Sequence, residues 1–158
     1  MTGLLAGALI LASLNACEVL TKRDVGAVQG EAFVDAKLSS RAGVSQCFYQ
    51  LPTFTKSVSV DVILDRGEEY WDQRFERDEE EKGKEREEEE EGEEKHPPLR
   101  VRGVGDEAFW AGGPLAGSLY VRKGDAVLRV SVGGPWSEQE KIVRSKRLAS
   151  KALRRLSP

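Results

Sequence analysis

The chain of 158 residues is poor in histidine and cysteine, on which much transition-metal and nucleophilic chemistry depends. It contains one histidine, His96, which cannot form a two-histidine site for a transition metal. Its two cysteines, Cys17 and Cys47, do not form a Cys-x-x-Cys pair. A catalytic triad needs a rigidly oriented base, whereas His96 lies between a charged run and Pro97. We therefore expect no metal site, no cofactor and no catalytic residue.

Glycine patterns that bind phosphates are also missing. No Walker-type loop occurs, and Gly103-Val104-Gly105 lacks the downstream glycine of a dinucleotide-binding fingerprint. Asp106 and Glu107 are adjacent, and neighbours on an extended chain point to opposite faces, so we expect them to form turns and caps. The expected protein is non-catalytic. The alternative is a small extracytoplasmic hydrolase or ligand-processing enzyme that uses Asp106, Glu107 or Ser118 in a shared pocket.

The longest apolar run is too short to cross a bilayer. Residues 4–14 carry no charge, but a membrane-spanning helix needs about 20 apolar residues. The run has the length of the apolar core of a secretory signal and is followed by small residues, although Met1-Thr2-Gly3 lacks the usual basic residue. The alternative is the first buried helix of a cytosolic domain. We predict a leader at 1–16 and an exported protein, periplasmic or anchored at the cell envelope.

The two cysteines have three interpretations. In an exported chain Cys17 and Cys47 would form one disulfide, closing a loop of about 30 residues worth roughly 3 kcal/mol. The rival is lipidation of Cys17, because Leu14-Asn15-Ala16-Cys17 resembles a bacterial lipobox. Asn15 is unusual in a lipobox and Thr21 soon begins a helix, which leaves no tether and favours the disulfide. The third is an unmodified buried thiol.

Charge is concentrated in one segment. Residues 76–95 hold 13 acidic and 5 basic residues, although the net charge of the whole chain is only −3. Calcium loops place oxygen ligands at set spacings around a glycine, and this glutamate-rich run shows no such order. Such blocks repel themselves and bury nothing, so we predict a solvated insertion. The prediction is one domain at 17–158, interrupted by a charged arm at 76–98.

Outside the arm, the chain divides into two related halves built from helices and strands. A capping box at Thr21–Asp24 and a closing Gly30 predict a short first helix. Residues 45–50 and 57–64 are predicted strands, the second with strict apolar alternation. Aromatic residues at helical spacing then predict a helix that begins near Tyr70 and runs into the arm, before Pro97-Pro98 stops it.

The second half repeats this plan. Residues 103–110 form a loop and short strand, and a hairpin around Gly124 joins strands at 118–122 and 126–132. A capping box at Ser137 opens the last, amphipathic helix. The predicted fold is therefore α+β, with an antiparallel sheet, or sheets, built from two halves and packed against helices.

The last helix is basic as well as amphipathic. Such a helix can lie on an anionic membrane or contact nucleic acid. Its apolar face uses Leu, Ile and Ala, with no Trp or Phe for a membrane interface, so we expect it to pack on the sheet. We predict no nucleic-acid partner, and membrane association only through a leader or lipid anchor.

A candidate binding surface comprises Phe109, Trp110, Gly112 and Gly113, because aromatic residues beside glycine-rich loops often face partners. The alternative is that both rings pack in the core. The partner would be an envelope protein or a small ligand.

The segments 17–25 with Gly30, 46–49, 103–110 and the hairpin at 120–132 resemble a group of small bacterial exported proteins. Many members of that group are predicted lipoproteins, and none has an established function. The resemblance implies a compact α+β fold similar to the Mog1/PsbP-like folds, with the two cysteines paired. It supplies no catalytic residues. The short leader and the Glu-rich arm depart from the group's pattern.

Overall fold

Seven antiparallel strands form one sheet in the computed structural model, which describes residues 15–76, 96–113 and 115–156. The strands are β1 (Asp35–Arg41), β2 (Val44–Gln50), β3 (Val58–Ile63), β4 (Leu99–Arg100), β5 (Glu107–Gly112), β6 (Gly117–Lys123) and β7 (Ala126–Val132). Their spatial order is β1-β2-β3-β7-β6-β5-β4. The first half of the chain therefore supplies three adjacent strands, and the second half supplies the other four. The α+β fold predicted from the sequence is confirmed.

Helices pack on both sides of this sheet. They are α1 (Lys22–Gln29), α2 (Gly67–Trp71), which continues as a π-helical turn at Asp72–Glu76, and α3 (Glu138–Leu156). Short 3₁₀ helices lie at Ala16–Glu18 and Phe54–Lys56. Among the described residues, no helix has both the length and the apolarity needed to span a membrane.

Strand alternation divides the side chains between two faces. On β3 and β7, Val58, Val60, Leu128 and Val130 are buried in the core that includes residues of α1 and α3. We term this side the core face. Ile63 and Val127 point the other way and pack with Trp71 and Phe75 of the α2 segment. We term that side the α2 face.

The strand β1 was not predicted from the sequence. Its residues, DAKLSSR, are almost all exposed because β1 lies at the edge of the sheet and pairs only with β2. Apolar alternation, the signal that predicted β3, arises only where one face of a strand is buried. An exposed edge strand lacks that signal.

The disulfide is present between Cys17 and Cys47, whose Cα atoms are 5.0 Å apart. It ties the 3₁₀ helix at Ala16–Glu18 to β2. Ala16 is fully buried, its N–H donates to Ser45 Oγ at 2.9 Å, and its carbonyl accepts from the Tyr49 hydroxyl at 2.5 Å. The bond uses the Sγ atom that lipidation of Cys17 would also require. The apolar run at residues 1–14 and the arm at 77–95 lie outside the described residues.

The predicted capping box opens α1. Thr21 Oγ1 accepts from the Asp24 N–H at 3.1 Å, and an Asp24 oxygen accepts from the Thr21 N–H at 2.9 Å. Arg155 of α3 adds an ion pair to the same carboxylate at 2.7 Å. Burial raises the pKa of Asp24, but the hydrogen bonds from Thr21 and the charge of Arg155 outweigh it and hold that pKa below its ordinary value.

We expect Asp24→Asn to lower the free energy of unfolding by about 1–2 kcal/mol at pH 7, because charge-assisted hydrogen bonds are lost. The pKa of Asp24 is lower in the folded state than in the unfolded state, so its carboxylate stabilises the fold at pH values above the unfolded-state pKa. This stabilisation is lost as the pH falls through the folded-state pKa. The difference between wild type and variant should therefore shrink below about pH 4. Urea titrations of both proteins at several pH values measure this difference in the free energy of unfolding. A difference that does not change with pH would contradict the role assigned to the Asp24 carboxylate.

The turn between β1 and β2 is strained at one residue. Arg41 pairs with Val44, so the loop contains only Ala42 and Gly43, with φ values of 50° and 79°. Two positive φ angles in a two-residue hairpin loop define a type I′ turn, in which Asn-Gly is strongly preferred. Alanine in the left-handed region costs about 1–2 kcal/mol.

Ala42→Asn should therefore raise the free energy of unfolding by about 0.5–1 kcal/mol, because asparagine tolerates the left-handed region better. Chemical denaturation measures the change. Ala42→Val is the matched control and should destabilise the protein, since a β-branched residue fits a positive φ poorly. Equal stability of all three proteins would show that this turn is unstrained.

Candidate binding groove

The four residues of the predicted binding surface do not form one patch. Trp110 points to the core face, where it is 1% exposed, and its indole N–H donates to Glu138 Oε2 at 3.4 Å. Phe109 points to the opposite face and stacks on Phe75 with ring centroids 4.9 Å apart. It is half-buried, with the Arg100 guanidinium 5.6 Å from its ring centre.

The two glycines have backbone roles. Gly112 has a φ of 127°, and a Cβ there would lie 2.3 Å from the Ala116 carbonyl oxygen. A Cβ on Gly113 would meet the His96 ring at 3.0 Å. Both glycines therefore permit the close packing of the β5–β6 turn, where the Gly113 N–H donates to the Ala116 carbonyl at 2.8 Å.

Of the three residues considered for hydrolysis, Asp106 and Glu107 both lie beside the Arg122 guanidinium, at 3.8 and 3.9 Å, whereas Ser118 lies apart from them. Asp106 accepts from the Gly124 N–H at 2.7 Å, as a turn residue would. Glu107 accepts from the Trp71 indole at 2.9 Å and pairs with Arg100 at 3.1 Å. Ser118 pairs across the sheet with Ala111, whereas Glu107 pairs with Arg122 at the other end of the same strands. The pockets beside Tyr70, Pro98 and Val143 are lined by none of these three side chains.

A polar ladder crosses the α2 face instead. Strand pairing places Ser39, Gln46, Asp61 and Arg129 side by side on β1, β2, β3 and β7. Arg129 binds the Asp61 carboxylate through two N–H groups, at 2.6 and 3.0 Å. Gln46 donates to Asp61 at 3.1 Å and accepts from the Ser39 hydroxyl at 3.4 Å. The ladder thus presents charged and neutral polar groups in a fixed row.

The Arg129–Asp61 pair is well anchored but not fully buried. Only 22% of the Arg129 side chain and 14% of the Asp61 side chain are exposed. Arg129 also donates to Ser118 at 2.9 Å and to Ser59 at 3.2 Å. Burial lowers the pKa of Arg129, but hydrogen bonding and attraction to Asp61 outweigh it and raise the pKa. The Arg129 guanidinium therefore remains charged across the physiological pH range.

A concave region lies above the ladder, which we term the α2 groove. Its deeper part is a cavity of about 300 Å³, whose polar lining comprises Arg41, Gln46, Asp61, Tyr70 and Arg129. A second part of about 480 Å³ continues between the β1–β2 turn and α2. The two parts share Ala42, Val44, Ile63 and Tyr70. These volumes fall in the lower range of small-molecule sites.

Tyr70 forms one wall of the groove. Burial and the neighbouring Tyr120 raise its pKa, so its hydroxyl stays protonated. The start of α2 fixes its position: a Cβ on Gly67 would lie 2.0 Å from the Asp125 carbonyl oxygen, and the Glu68 N–H donates to the Asp125 side chain at 3.0 Å. This close approach to the β6–β7 turn requires glycine.

Backbone strain concentrates at the same place. Among the described residues, Ala42 and Arg66 are the two non-glycine positions with positive φ, at 50° and 64°. Both line the larger part of the α2 groove. Strained backbone is found preferentially at ligand-binding and active sites. The groove thus combines concavity, convergent polar groups and strain.

Sequence reasoning did not single out the α2 groove. Asp61 and Arg129 occupy outward positions in β3 and β7, where a polar residue is ordinary on a solvated face. They are separated by 68 residues, and their pairing depends on the adjacency of β3 and β7. A charged residue in the middle of each of two apolar strands, with opposite signs, was the available signal.

The described residues contain no cluster of three or more His, Cys, Asp or Glu side chains able to hold a metal ion. The polar groups of the groove can orient and hold a ligand through hydrogen bonds. No family model, curated protein or solved structure was found to match this chain.

Proposed function

We propose that this chain is an exported, non-catalytic binding module of the cell envelope, with the α2 groove as its site. The observation that carries the proposal is the anchored Arg129–Asp61 pair on the floor of a cavity of about 300 Å³. Concave sites with a few convergent polar groups are the usual form of small-ligand sites.

Two observations support export. A disulfide is compatible with an oxidising compartment, because cytosolic thiols are normally kept reduced. The apolar run at 4–14 has the composition of a signal-peptide core. The proposed relationship to small bacterial exported proteins agrees with both. Since Cys17 is held in the disulfide, we propose that any membrane attachment does not use a lipid on this residue.

Intact mass of the native protein, with and without reductant, tests the location. We expect a chain that lacks an N-terminal leader, carries no lipid, and is two hydrogens lighter before reduction. Because Ala16 is buried and bonded to Tyr49 and Ser45, we propose that the leader ends before Ala16, at least one residue earlier than the 1–16 bounds expected from the sequence. A full-length chain with two free thiols would overturn the export proposal.

A binding screen tests the site. The oxidised, ¹⁵N-labelled protein is titrated with neutral saccharides, short peptides and small carboxylates while amide shifts are recorded. We expect at least one class to shift amides along the α2 groove. Arg41→Ala should weaken that binding, because Arg41 is exposed and lines the cavity. Arg154→Ala, an exposed arginine on α3, is the matched control and should not. Shifts confined to other surfaces, or none, would overturn the site.

A further inference from the structure

The hydrogen-bonding groups left over in the α2 groove indicate the chemistry of its ligand. Asp61 accepts three hydrogen bonds from Arg129 and Gln46, so one of the roughly four lone-pair positions of its carboxylate remains. Gln46 uses one amide N–H and keeps the other. The Tyr70 hydroxyl has no hydrogen-bond partner among the described residues and can donate or accept. A ligand must therefore supply donors and acceptors close together.

Charge argues against an anion. The Asp61 carboxylate lies on the cavity floor and would repel a second negative charge at short range. Its own charge is matched by Arg129. Two acidic and two basic side chains lie toward the rim of the groove: Asp65, Glu69, Arg41 and Arg66. Their charges cancel, so the groove has no net charge of either sign. The balance favours an uncharged ligand.

The α2 groove also has an apolar wall. Val44, Ile63 and the ring of Tyr70 line the same cavity as the polar ladder. One wall can therefore contact C–H groups while the floor makes hydrogen bonds. Saccharide rings present C–H groups on their faces and hydroxyls, which both donate and accept, at their edges.

We infer that the α2 groove binds a neutral saccharide unit, with Gln46, Asp61 and Tyr70 contacting its hydroxyls. This inference rests on the proposed function and specifies its ligand class. The larger part of the groove, which opens between the β1–β2 turn and α2, extends the site beyond the first cavity. A short oligosaccharide should therefore bind more tightly than the corresponding monosaccharide.

The test compares three probe classes on the oxidised protein: neutral mono- and tetrasaccharides of glucose, galactose, mannose and N-acetylglucosamine; tetraglycine; and citrate. We expect a tetrasaccharide to shift groove amides and to bind more tightly than its monomer. Tyr70→Phe and Gln46→Ala should each weaken it about fivefold to tenfold, the usual value of one hydrogen bond. Gln139→Ala, an exposed residue of α3, is the matched control and should leave affinity unchanged.

The possible failures are distinguishable. Groove binding by tetraglycine or citrate, with no saccharide bound, would overturn the saccharide inference and leave the proposed binding function standing. Saccharide shifts that neither groove variant alters would overturn the inference as well. If no probe of any class shifts groove amides, both the inference and the proposed site fail. Thermal unfolding of each variant checks that it folds.

Discussion

Replacing both cysteines, Cys17→Ala with Cys47→Ala, is expected to lower the free energy of unfolding by about 3–4 kcal/mol. The bond joins residues 30 positions apart, and opening a loop of that size restores this much chain entropy to the unfolded state. The loss is large against the roughly 5–15 kcal/mol total of a typical domain. Denaturant titrations of oxidised protein and double variant measure the difference.

Reductant provides the matched control for this prediction. Reduced wild type should approach the stability of the double variant, whereas the double variant should not respond to reductant. If removing the cysteines left stability unchanged, the packing of Ala16, Tyr49 and Ser45 alone would hold the N-terminal segment. The entropic account of the bond would then be wrong for this protein.

The disulfide also bears on the α2 groove. Cys47 points to the core face of β2, and the adjacent Gln46 points to the ladder on the other face. Opening the bond should loosen the N-terminal 3₁₀ helix from β2. We therefore expect reduction to destabilise the strand that carries one of the proposed ligand contacts.

Breaking the central ion pair should have the second large effect. Asp61→Ala is expected to cost about 2–3 kcal/mol, because it leaves the guanidinium of Arg129 largely buried without its counter-charge. This value is below that of a fully buried pair, since both side chains retain some exposure. Arg129→Met should be similarly destabilising, as it leaves Asp61 with Gln46 alone.

A double-mutant cycle separates the pair's coupling from the cost of each truncation. The double variant Asp61→Ala with Arg129→Met should be more stable than the sum of the single effects predicts, because no buried charge remains uncompensated. Urea titrations of the four proteins supply the values. Strictly additive effects would show that the two side chains act independently, and the ladder would then not be a coupled unit.

Much of the fold could be predicted because its signals are local. The capping box at Thr21 determines where α1 begins, and the hydrogen bond from the Glu140 N–H to Ser137 Oγ marks the start of α3. Apolar alternation located β3, and the hairpin around Gly124 was predicted from turn chemistry. Each of these rests on residues within a few positions of one another. Edge strand β1 was missed because it has no buried face.

The predicted binding surface shows where local reasoning stops. Phe109 and Trp110 are neighbours in sequence, yet the pleat of β5 directs them to opposite faces. Whether either face is covered depends on elements distant in the chain: α3 beside Trp110, and Phe75 of the α2 segment beside Phe109. The sequence shows the two adjacent aromatic residues, but it does not show which distant elements pack over each ring.

The sequence by itself determined the helices, most strands, the α+β class and the cysteines available for pairing, because short-range sterics, capping and periodicity select these. Only the tertiary structure decided that β3 lies against β7, which brings Asp61 to Arg129 across 68 residues. It also decided that the groove forms between the β1–β2 turn and α2. These features depend on strand order and helix docking, which are chosen by the burial of the whole core and not by any local pattern.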